Sequence, residues 1–183
     1  MIDIIITVIS IALSYYYTAF MHVFANPAPY KYIVVFIVSF LICWAALFIL
    51  FGIICVIISL PVNINKEYAK TSRFYTTLFG LMLEFAGFVS GARVIVNGRD
   101  KIPRKDRFLF VSNHRSNYDP IIQCGEMKLQ PMAFISKRAN FRIPFIRRYM
   151  VRCRYIPLER KNMRNGAEAV MKAARMISSG QFL

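Results

Sequence analysis

The sequence is poor in acidic residues and lacks any regular grouping of cysteines. Its 183 residues contain 9 Asp and Glu against 24 Lys and Arg, which gives a formal net charge of +15. The cysteines have neither the spacing of a zinc site nor that of a disulfide framework, so we interpret them as packing residues: Cys43, Cys55, Cys124 and Cys153. No glycine-rich phosphate loop of the nucleotide-binding kinds occurs, and there are no internal repeats. Structural zinc domains, disulfide scaffolds and the common nucleotide-binding folds are therefore not indicated.

Charge is nearly absent from the first 60 residues. With His22 neutral, Ile4–Phe24 is a run of 21 residues without a formal charge, and Tyr32–Leu60 is a run of 29. At ~1.5 Å per residue the second run would form a helix about 44 Å long, more than the ~30 Å hydrocarbon core, so it should tilt, bend or end outside the core. The segment 26–29, Asn-Pro-Ala-Pro, breaks a helix. We therefore predict that residues 1–60 form a membrane anchor of two apolar helices, joined as a hairpin.

Two other arrangements of the first segment stay open. A cleaved signal peptide is disfavoured because Met1-Ile2-Asp3 lacks the basic start of such signals. A re-entrant hairpin that dips into one leaflet is the closer alternative. Orientation follows from charge, because Lys31 is the one basic residue before Pro61 and the other 23 come after it. By the positive-inside rule, the chain from residue 61 onward is predicted to lie on the cytoplasmic face of the membrane.

The basic residues after residue 61 also bear on partners. Lys and Arg mixed with aromatic residues could bind nucleic acid, but the chain contains no nucleic-acid-binding motif and begins with two apolar runs. Anionic lipid headgroups attract the same charges by about 1 kcal/mol per basic residue near the surface. We therefore predict anionic membrane lipids, and no nucleic acid, as partners. Six arginines could form a membrane-facing or acceptor-attracting patch, or only a solvated basic face: Arg138, Arg142, Arg147, Arg148, Arg152 and Arg154.

Residues 61–91 are predicted to form an amphipathic connecting helix. Their apolar residues recur at intervals of four and three, with Lys66, Lys70 and Arg73 on another face. The apolar stripe, which could lie in the membrane interface or pack on the domain core, consists of Ile64, Tyr68, Tyr75, Leu78, Met82, Phe85 and Val89.

Residues 92–183 alternate predicted strands with predicted helices. The strands are predicted at Ala92–Val96, Phe108–Ser112, Met132–Ile135 and Tyr155–Leu158. The helices are predicted at Pro120–Met127, Pro144–Val151 and Met163–Ile177, with Gly180 at the end of the last. The alternation indicates an α/β domain with a largely parallel sheet, placed after a membrane-embedded helical hairpin.

The segment 113–119, Asn-His-Arg-Ser-Asn-Tyr-Asp, places a histidine and an aspartate five positions apart. A neutral imidazole can remove a proton from an alcohol, and a carboxylate on its other nitrogen fixes the tautomer and stabilises the imidazolium. Five positions turn through roughly 500° on a helix, so the pair cannot meet on a straight one. Asp119 is instead predicted to be the N-cap of a helix that begins at Pro120, which puts His114 in the preceding loop. The alternative is that Asp119 is only a cap.

Two later segments add to this motif. Residues 135–146 contain Lys137 and the pair Ile143-Pro144, and residues 155–160 form an apolar run that ends in an acidic and a basic residue. The order and spacing of the three segments resemble the 1-acylglycerol-3-phosphate acyltransferase family, the glycerolipid acyltransferases with a His-x4-Asp motif. The resemblance covers roughly residues 85–183.

The resemblance assigns roles to individual residues. It implies that His114 is the general base on an acceptor hydroxyl and that Asp119 is its orienting carboxylate. Substrate binding near an acceptor phosphate is implied for Asn113, Lys137, Arg138 and Arg160. The chain departs from the family at Arg147, where a glycine is usual, and at Glu159, where an aspartate is usual. The family's Glu-Gly-Thr-Arg segment does not occur before Leu183, so we expect the sheet to be incomplete at its C-terminal side and the activity of these residues alone to be compromised.

The resemblance also implies a reaction. A fatty acyl group would pass from acyl-ACP or acyl-CoA to the free hydroxyl of 1-acylglycerol 3-phosphate, with phosphatidic acid as the product. The acyl donor and the lysophospholipid acceptor would be the partners, and no metal or prosthetic cofactor would be required. Two alternatives stay open: another acceptor, such as glycerol 3-phosphate or a lyso-aminolipid, or a non-catalytic basic membrane protein that binds anionic lipids.

Overall fold

The computed structural model describes residues 2–25, 28–103, 108–113, 116, 118–130, 132–159 and 163–178. The chain divides into two compact units, Met1–Ile58 and Ser59–Leu183. His114 and Arg160, both assigned to the site from the sequence, lie outside the described residues.

The first unit consists of two apolar helices, α1 at Ile2–Ala25 and α2 at Pro29–Ser59. Segments of 21 and 30 residues within them are long and apolar enough to cross a membrane. In the most apolar 18-residue stretch of each segment, only 17% and 6% respectively is buried inside the protein. The core helix of a soluble protein would be largely buried. The predicted pair of apolar helices is confirmed, and its exposed apolar surface favours a lipid environment.

Polar and aromatic side chains connect the two helices. Trp44 Nε1 donates a hydrogen bond to Thr7 Oγ1 at 3.3 Å, and the rings of His22 and Tyr32 stack with their centroids 4.9 Å apart. Since the start of α1 meets the middle of α2 and the end of α1 meets the start of α2, the helices run antiparallel. Along α1, hydroxyl groups donate to the carbonyl four residues earlier, which satisfies them within the helix: Thr7, Ser10, Ser14 and Thr18.

The second unit contains, among its described residues, four α-helices and a two-stranded sheet. In chain order they are α3 at Arg73–Val89, α4 at Asp119–Glu126, β1 at Ile135–Lys137, α5 at Pro144–Arg152, β2 at Ile156–Leu158 and α6 at Met163–Ser178, with short 3₁₀ helices at Arg99–Lys101 and Arg138–Arg142. The strands are parallel, with Ile135 opposite Ile156 and Lys137 opposite Leu158. Because α5 lies between them in the chain, this is a β-α-β unit. The predicted α/β arrangement is confirmed in the form of a small parallel sheet.

Two of the predicted strands are not found in the described backbone. Residues 92–96 and 108–112 are irregular, and Ile95 and Val111 are 73% and 80% exposed. Alternation of side chains determines which residues share a face, but it does not supply a partner strand for the backbone hydrogen bonds. The strand predictions at these two segments are wrong for that reason.

The predicted connecting helix is shorter in the structure, where α3 begins at Arg73 after the non-helical segment 60–72. The Asn65 N–H donates to Asn63 Oδ1 at 2.9 Å, and the Asn63 N–H donates to Tyr68 Oη at 3.1 Å. Such side-chain hydrogen bonds give the backbone an alternative to a helix. Tyr68, assigned from the sequence to the helical stripe, therefore lies outside the helix.

Two apolar clusters form the core of the second unit. In one, α6 packs on β2 and the residues before β1; its members are Ala133, Ile156, Ala169, Ala173 and Met176. In the other, α3 packs on α5 through Phe79, Tyr149 and Met150, with the Phe79 and Tyr149 rings stacked at a centroid distance of 5.5 Å. Tyr75, Leu78 and Met82 pack against the second cluster. This part of the α3 stripe therefore faces the domain core.

Glycines allow α3 to pack closely on α4. A Cβ at Gly80 would lie 2.3 Å from Lys128 Cβ and 2.9 Å from the Cys124 carbonyl oxygen, and a Cβ at Gly125 would lie 3.1 Å from Glu84 Cα. Beside them, Lys128 Nζ and Glu84 Oε1 form a 2.9 Å ion pair whose side chains are mostly buried. These contacts determine the position of α4, which carries a candidate catalytic carboxylate at its first residue.

Candidate active site

Asp119 is the first residue of α4, and Tyr118 is the N-cap. The prediction that Asp119 itself caps the helix is therefore wrong by one residue. The turn explains the difference: the Asp119 N–H donates to the Ser116 carbonyl at 3.3 Å, and the Tyr118 N–H donates to Ser116 Oγ at 3.1 Å, so the chain is already turning before Pro120. In return, Asp119 Oδ2 accepts a 3.0 Å hydrogen bond from the Ser116 N–H. The helix macrodipole favours a negative side chain at this end.

The other end of the 113–119 loop is also attached to α4. Gln123 Nε2 donates a 2.7 Å hydrogen bond to Ser112 Oγ, and Ser112 directly precedes Asn113. Gln123 lies one helical turn after Asp119, so the two side chains are on the same face of α4. Neither Ser112 nor Gln123 was singled out from the sequence. The spacing of four between Asp119 and Gln123 was the available signal, but it did not reveal the residue that Gln123 contacts.

Asn113 is exposed and begins the loop whose next residue is His114. The segment 113–119 is thus attached to α4 on both sides, through Ser112 before it and Asp119 at its end, and His114 itself lies outside the described residues. A base and its orienting carboxylate must be held in a defined relative position, and the two contacts described here are those of Ser112 and Asp119.

Lys137 and Arg138 lie side by side at the C-terminal end of β1. Lys137 ends the strand and is exposed, and Arg138 begins the following 3₁₀ helix. Ligands of parallel α/β sheets commonly bind at this end of the strands. Arg138 Nη1 pairs with Glu159 Oε2 at 3.3 Å, and both side chains are largely exposed. An exposed pair of this kind contributes little stability, so Arg138 can exchange this partner for a ligand at low cost.

An apolar cavity of about 400 Å³ connects the two halves of the predicted site. The segments that lead into Asn113 and Lys137 both line it, at 109–112 and 133–135 respectively. One face of α6 completes the wall with Val170, Ala173, Ala174 and Ile177. Ser112 and Gln123 are the polar side chains of an otherwise apolar lining. The cavity can therefore accommodate an apolar group whose end reaches the polar loop.

The buried cysteines are unsuited to act as nucleophiles. Burial raises the pKa of Cys124 to about 11 and that of Cys153 to about 12, so both thiols are protonated near neutral pH. Cys124 Sγ lies 3.3 Å from Tyr155 Oη, and Thr76 Oγ1 donates to Cys153 Sγ at 3.6 Å. Both cysteines pack in the interior, as the sequence predicted. Within the described ranges, no three His, Cys, Asp or Glu side chains come together as metal ligands.

Comparison with known proteins gives a family for the second unit. A family model described as Acyltransferase matches residues 93–183. A protein of Borreliella burgdorferi named 1-acyl-sn-glycerol-3-phosphate acyltransferase is 27% identical over 96 residues, which are 52% of this chain and 38% of that protein. A protein of the same name from Streptococcus pneumoniae is 28% identical over 102 residues, 55% of this chain and 38% of that protein. No solved structure gives a significant match.

Residues 93–183 belong to the acyltransferase family. The resemblance seen in the His-x4-Asp motif and the segments after it is confirmed, and both relatives named above are 1-acyl-sn-glycerol-3-phosphate acyltransferases. The aligned stretch spans less than half the length of those curated relatives.

Proposed function

We propose that the protein is a membrane-bound acyltransferase that acylates the hydroxyl of 1-acylglycerol 3-phosphate and releases phosphatidic acid. The observation that carries the proposal is the attachment of the 113–119 loop to α4 at both ends, by the Gln123–Ser112 hydrogen bond and by Asp119 itself. The family match of the same residues and the names of the two relatives support the substrate.

In the proposed reaction, His114 removes the proton of the acceptor hydroxyl as its oxygen attacks the thioester carbonyl. The tetrahedral intermediate then expels the thiolate of the donor, which accepts that proton from the imidazolium and leaves as the free thiol. Asp119 orients the imidazole and stabilises its charged form. General base catalysis of this kind contributes roughly 10²–10⁴-fold to the rate. The step needs no covalent acyl-enzyme, and no metal or prosthetic group takes part.

The acceptor phosphate is proposed to bind to Lys137, with Arg138 and Arg160 as further cationic partners and Asn113 as a polar contact beside the histidine. The position of Lys137 at the C-terminal end of a parallel strand supports this role. Arg138 is the second cation of this edge, and its exposed pairing with Glu159 leaves it able to rearrange.

The fatty acyl chain is proposed to occupy the apolar cavity between segments 109–112 and 133–135. Each methylene group buried there would contribute about 0.8 kcal/mol. Since Ser112 lines the cavity and directly precedes Asn113, a chain bound in it would end close to the loop that carries His114. The acyl donor is proposed to be acyl-CoA or acyl-ACP.

The catalytic unit is proposed to act on the cytoplasmic face of the membrane. The two apolar helices of the first unit would hold it there, and the excess of basic residues after Pro61 would attract anionic lipid headgroups.

The test is an acyl-transfer assay on the purified chain in detergent micelles. Acyl-CoA and acyl-ACP are offered with 1-acylglycerol 3-phosphate, glycerol 3-phosphate or a lyso-aminolipid, and phosphatidic acid and the other products are measured. The matched control is His114→Ala, which should remain in the membrane fraction and lose transfer. Equal product formation by the His114→Ala variant would contradict the mechanism. Preference for another acceptor would support acyl transfer by the proposed mechanism but would contradict 1-acylglycerol 3-phosphate as the substrate.

A further inference from the structure

A second cavity of the catalytic unit, of about 630 Å³, has both apolar and basic residues in its lining. Its walls come from segment 64–68, from the 3₁₀ helix after β1, and from α5 and α6. Six basic side chains face one carboxylate, Glu67; they are Lys66, Arg138, Arg142, Arg147, Arg154 and Lys172. Like charges so close together repel one another, so an anion bound among them would stabilise the arrangement.

The internal pairing of these cations is incomplete. Glu67 pairs with Lys172, whose hydrogen bond lowers the pKa of Glu67 together with the nearby charge of Arg154. No carboxylate of the described chain forms an ion pair with Arg142 or Arg147. The lining of the cavity therefore has a strong net positive charge even when the negative charge of Glu67 is included.

Arg154 has a backbone conformation that an arginine adopts at a cost. Its φ is +60°, in the left-handed region, where it directly follows the C-cap of α5. The turn is closed by hydrogen bonds from the Arg154 N–H to the Val151 carbonyl at 3.0 Å and from the Tyr155 N–H to the Met150 carbonyl at 2.9 Å. Glycine is the usual residue at this place after a helix. Arg154 lines the cavity, and an arginine at this strained position points to a function of its side chain there that a glycine could not provide.

The wall formed by segment 64–68 is fastened to α5 on both sides. Arg148 Nη1 donates to the carbonyls of Leu60 and Val62 at 2.7 and 3.0 Å, and Arg152 Nη1 donates to the Lys70 carbonyl at 3.0 Å. The Arg152 guanidinium also lies 4.7 Å from the centre of the Tyr68 ring. These hydrogen bonds fix the positions of the cavity walls, so its cations are held in a defined arrangement.

We propose that this cavity binds a phosphate-bearing ligand with at least two negative charges, held chiefly by Arg142, Arg147 and Arg154. Planar guanidinium groups bind phosphate oxygens in pairs, which suits the three arginines to this chemistry. Lys137, the proposed main partner of the acceptor phosphate, does not line the cavity, whereas its neighbour Arg138 lines it and lies between the two sites. Its ligand could be the phosphates of a soluble nucleotide carrier or the phosphate headgroup of an anionic lipid.

The test is calorimetric titration of the full chain in neutral detergent with separate probes. Inorganic pyrophosphate tests the phosphate chemistry, adenosine 3′,5′-bisphosphate represents the nucleotide source, and water-soluble dibutanoyl phosphatidate represents the lipid source. Dibutanoyl phosphatidylcholine, which has no net charge, is the negative control. We expect saturable binding of pyrophosphate that weakens as salt rises. Whichever organic phosphate binds more tightly identifies the source.

Three variants test the assignment of the residues. Arg142→Ala combined with Arg147→Ala should weaken pyrophosphate binding at least about tenfold, because each removes a charge-assisted hydrogen bond. Arg93→Ala, at an exposed arginine that does not line the cavity, is the matched control and should bind normally. Arg154→Gly should weaken binding while its thermal midpoint stays equal or rises, since glycine relieves the left-handed backbone.

The Arg154→Gly variant keeps the test decisive if the double variant loses its fold. A fall in binding with retained stability would follow from the lost guanidinium in an intact fold and supports the proposal. Failure of all three phosphate probes to bind, or unchanged binding in the Arg142, Arg147 and Arg154 variants, would overturn it. Because the readout is binding to a site without His114 or Lys137, it is independent of whether acyl transfer is observed.

Discussion

Gln123, which lies one helical turn after Asp119 on α4, donates a 2.7 Å hydrogen bond to Ser112. This bond joins the residue before the candidate catalytic loop, residues 113–119, to the helix after it. The loop between them therefore has both ends on α4, and α4 is in turn held by its close packing on α3 through Gly80 and Gly125. The separation of His114 and Asp119 should depend on this chain of contacts.

The first prediction concerns the Gln123–Ser112 hydrogen bond. Gln123→Ala should lower kcat for acyl transfer about tenfold with little change in the KM for the acceptor, because the loop loses one attachment while none of the residues proposed to bind the acceptor is changed. A double-mutant cycle with Ser112→Ala measures the coupling. The two substitutions should be strongly non-additive. Additive effects on kcat would show that the bond does not position the loop.

The second prediction separates the charge of Asp119 from its structural role. Asp119→Asn retains an oxygen that can accept the Ser116 N–H, so the turn should persist and thermal stability should change little. Activity should nevertheless fall by about two orders of magnitude or more, because an amide does not stabilise an imidazolium. Asp119→Ala should lose both activity and some stability. Near-normal turnover by Asp119→Asn would leave Asp119 with a structural role only.

The third prediction concerns acceptor binding at the end of β1. Lys137→Ala should raise the KM for a phosphorylated acceptor by roughly ten- to a hundredfold, since a charge-assisted hydrogen bond contributes about 1.5–3 kcal/mol. The KM for the acyl thioester should change little. Arg138→Ala is the comparison, and its effect should be smaller because Arg138 is proposed only as a further partner of the phosphate beside Lys137. Equal effects of Lys137→Ala on both substrates would argue against a contact with the acceptor phosphate.

Periodicity and breaking residues were sufficient to predict the two apolar helices and the positions of α4, α5 and α6. The starts of α4 and α5 lie within one residue of their predictions because prolines mark them, at Pro120 and Pro144. What could not be predicted depends on partners distant in the sequence. The apolar alternation around Ile95 gave no information on a pairing strand, and the contact of Gln123 with Ser112 arises only when the loop folds back on α4. The left-handed backbone conformation of Arg154 could not be predicted either, because a residue type alone does not determine φ.

The fourth prediction concerns the close packing of α3 on α4. Gly80→Ala should destabilise the protein by about 1–3 kcal/mol, because the added Cβ would meet Lys128 Cβ and the Cys124 carbonyl and push the helices apart. Gly87→Ala on the same helix is the matched control. Its Cβ would have no neighbour within 4 Å, so it should be neutral or stabilising by up to about 1 kcal/mol. Denaturant unfolding measures both, and similar midpoints for the two variants would contradict the packing argument.

The last prediction concerns the side of the membrane on which the catalytic unit lies. Of the basic residues, 23 of 24 follow Pro61, and from this the positive-inside rule predicts that the unit lies in the cytoplasm. A cysteine introduced at Lys101 should then be protected from a membrane-impermeant thiol reagent added to intact cells, and it should react after the cells are opened. Ala28→Cys, in the connection between α1 and α2, should react in intact cells if both helices span the membrane, and the unsubstituted protein gives the background of the native thiols. Protection at both positions would indicate a hairpin that enters only one leaflet. Labelling of the cysteine at position 101 from outside would contradict the cytoplasmic orientation, because it requires the basic unit to cross the membrane against the charge bias.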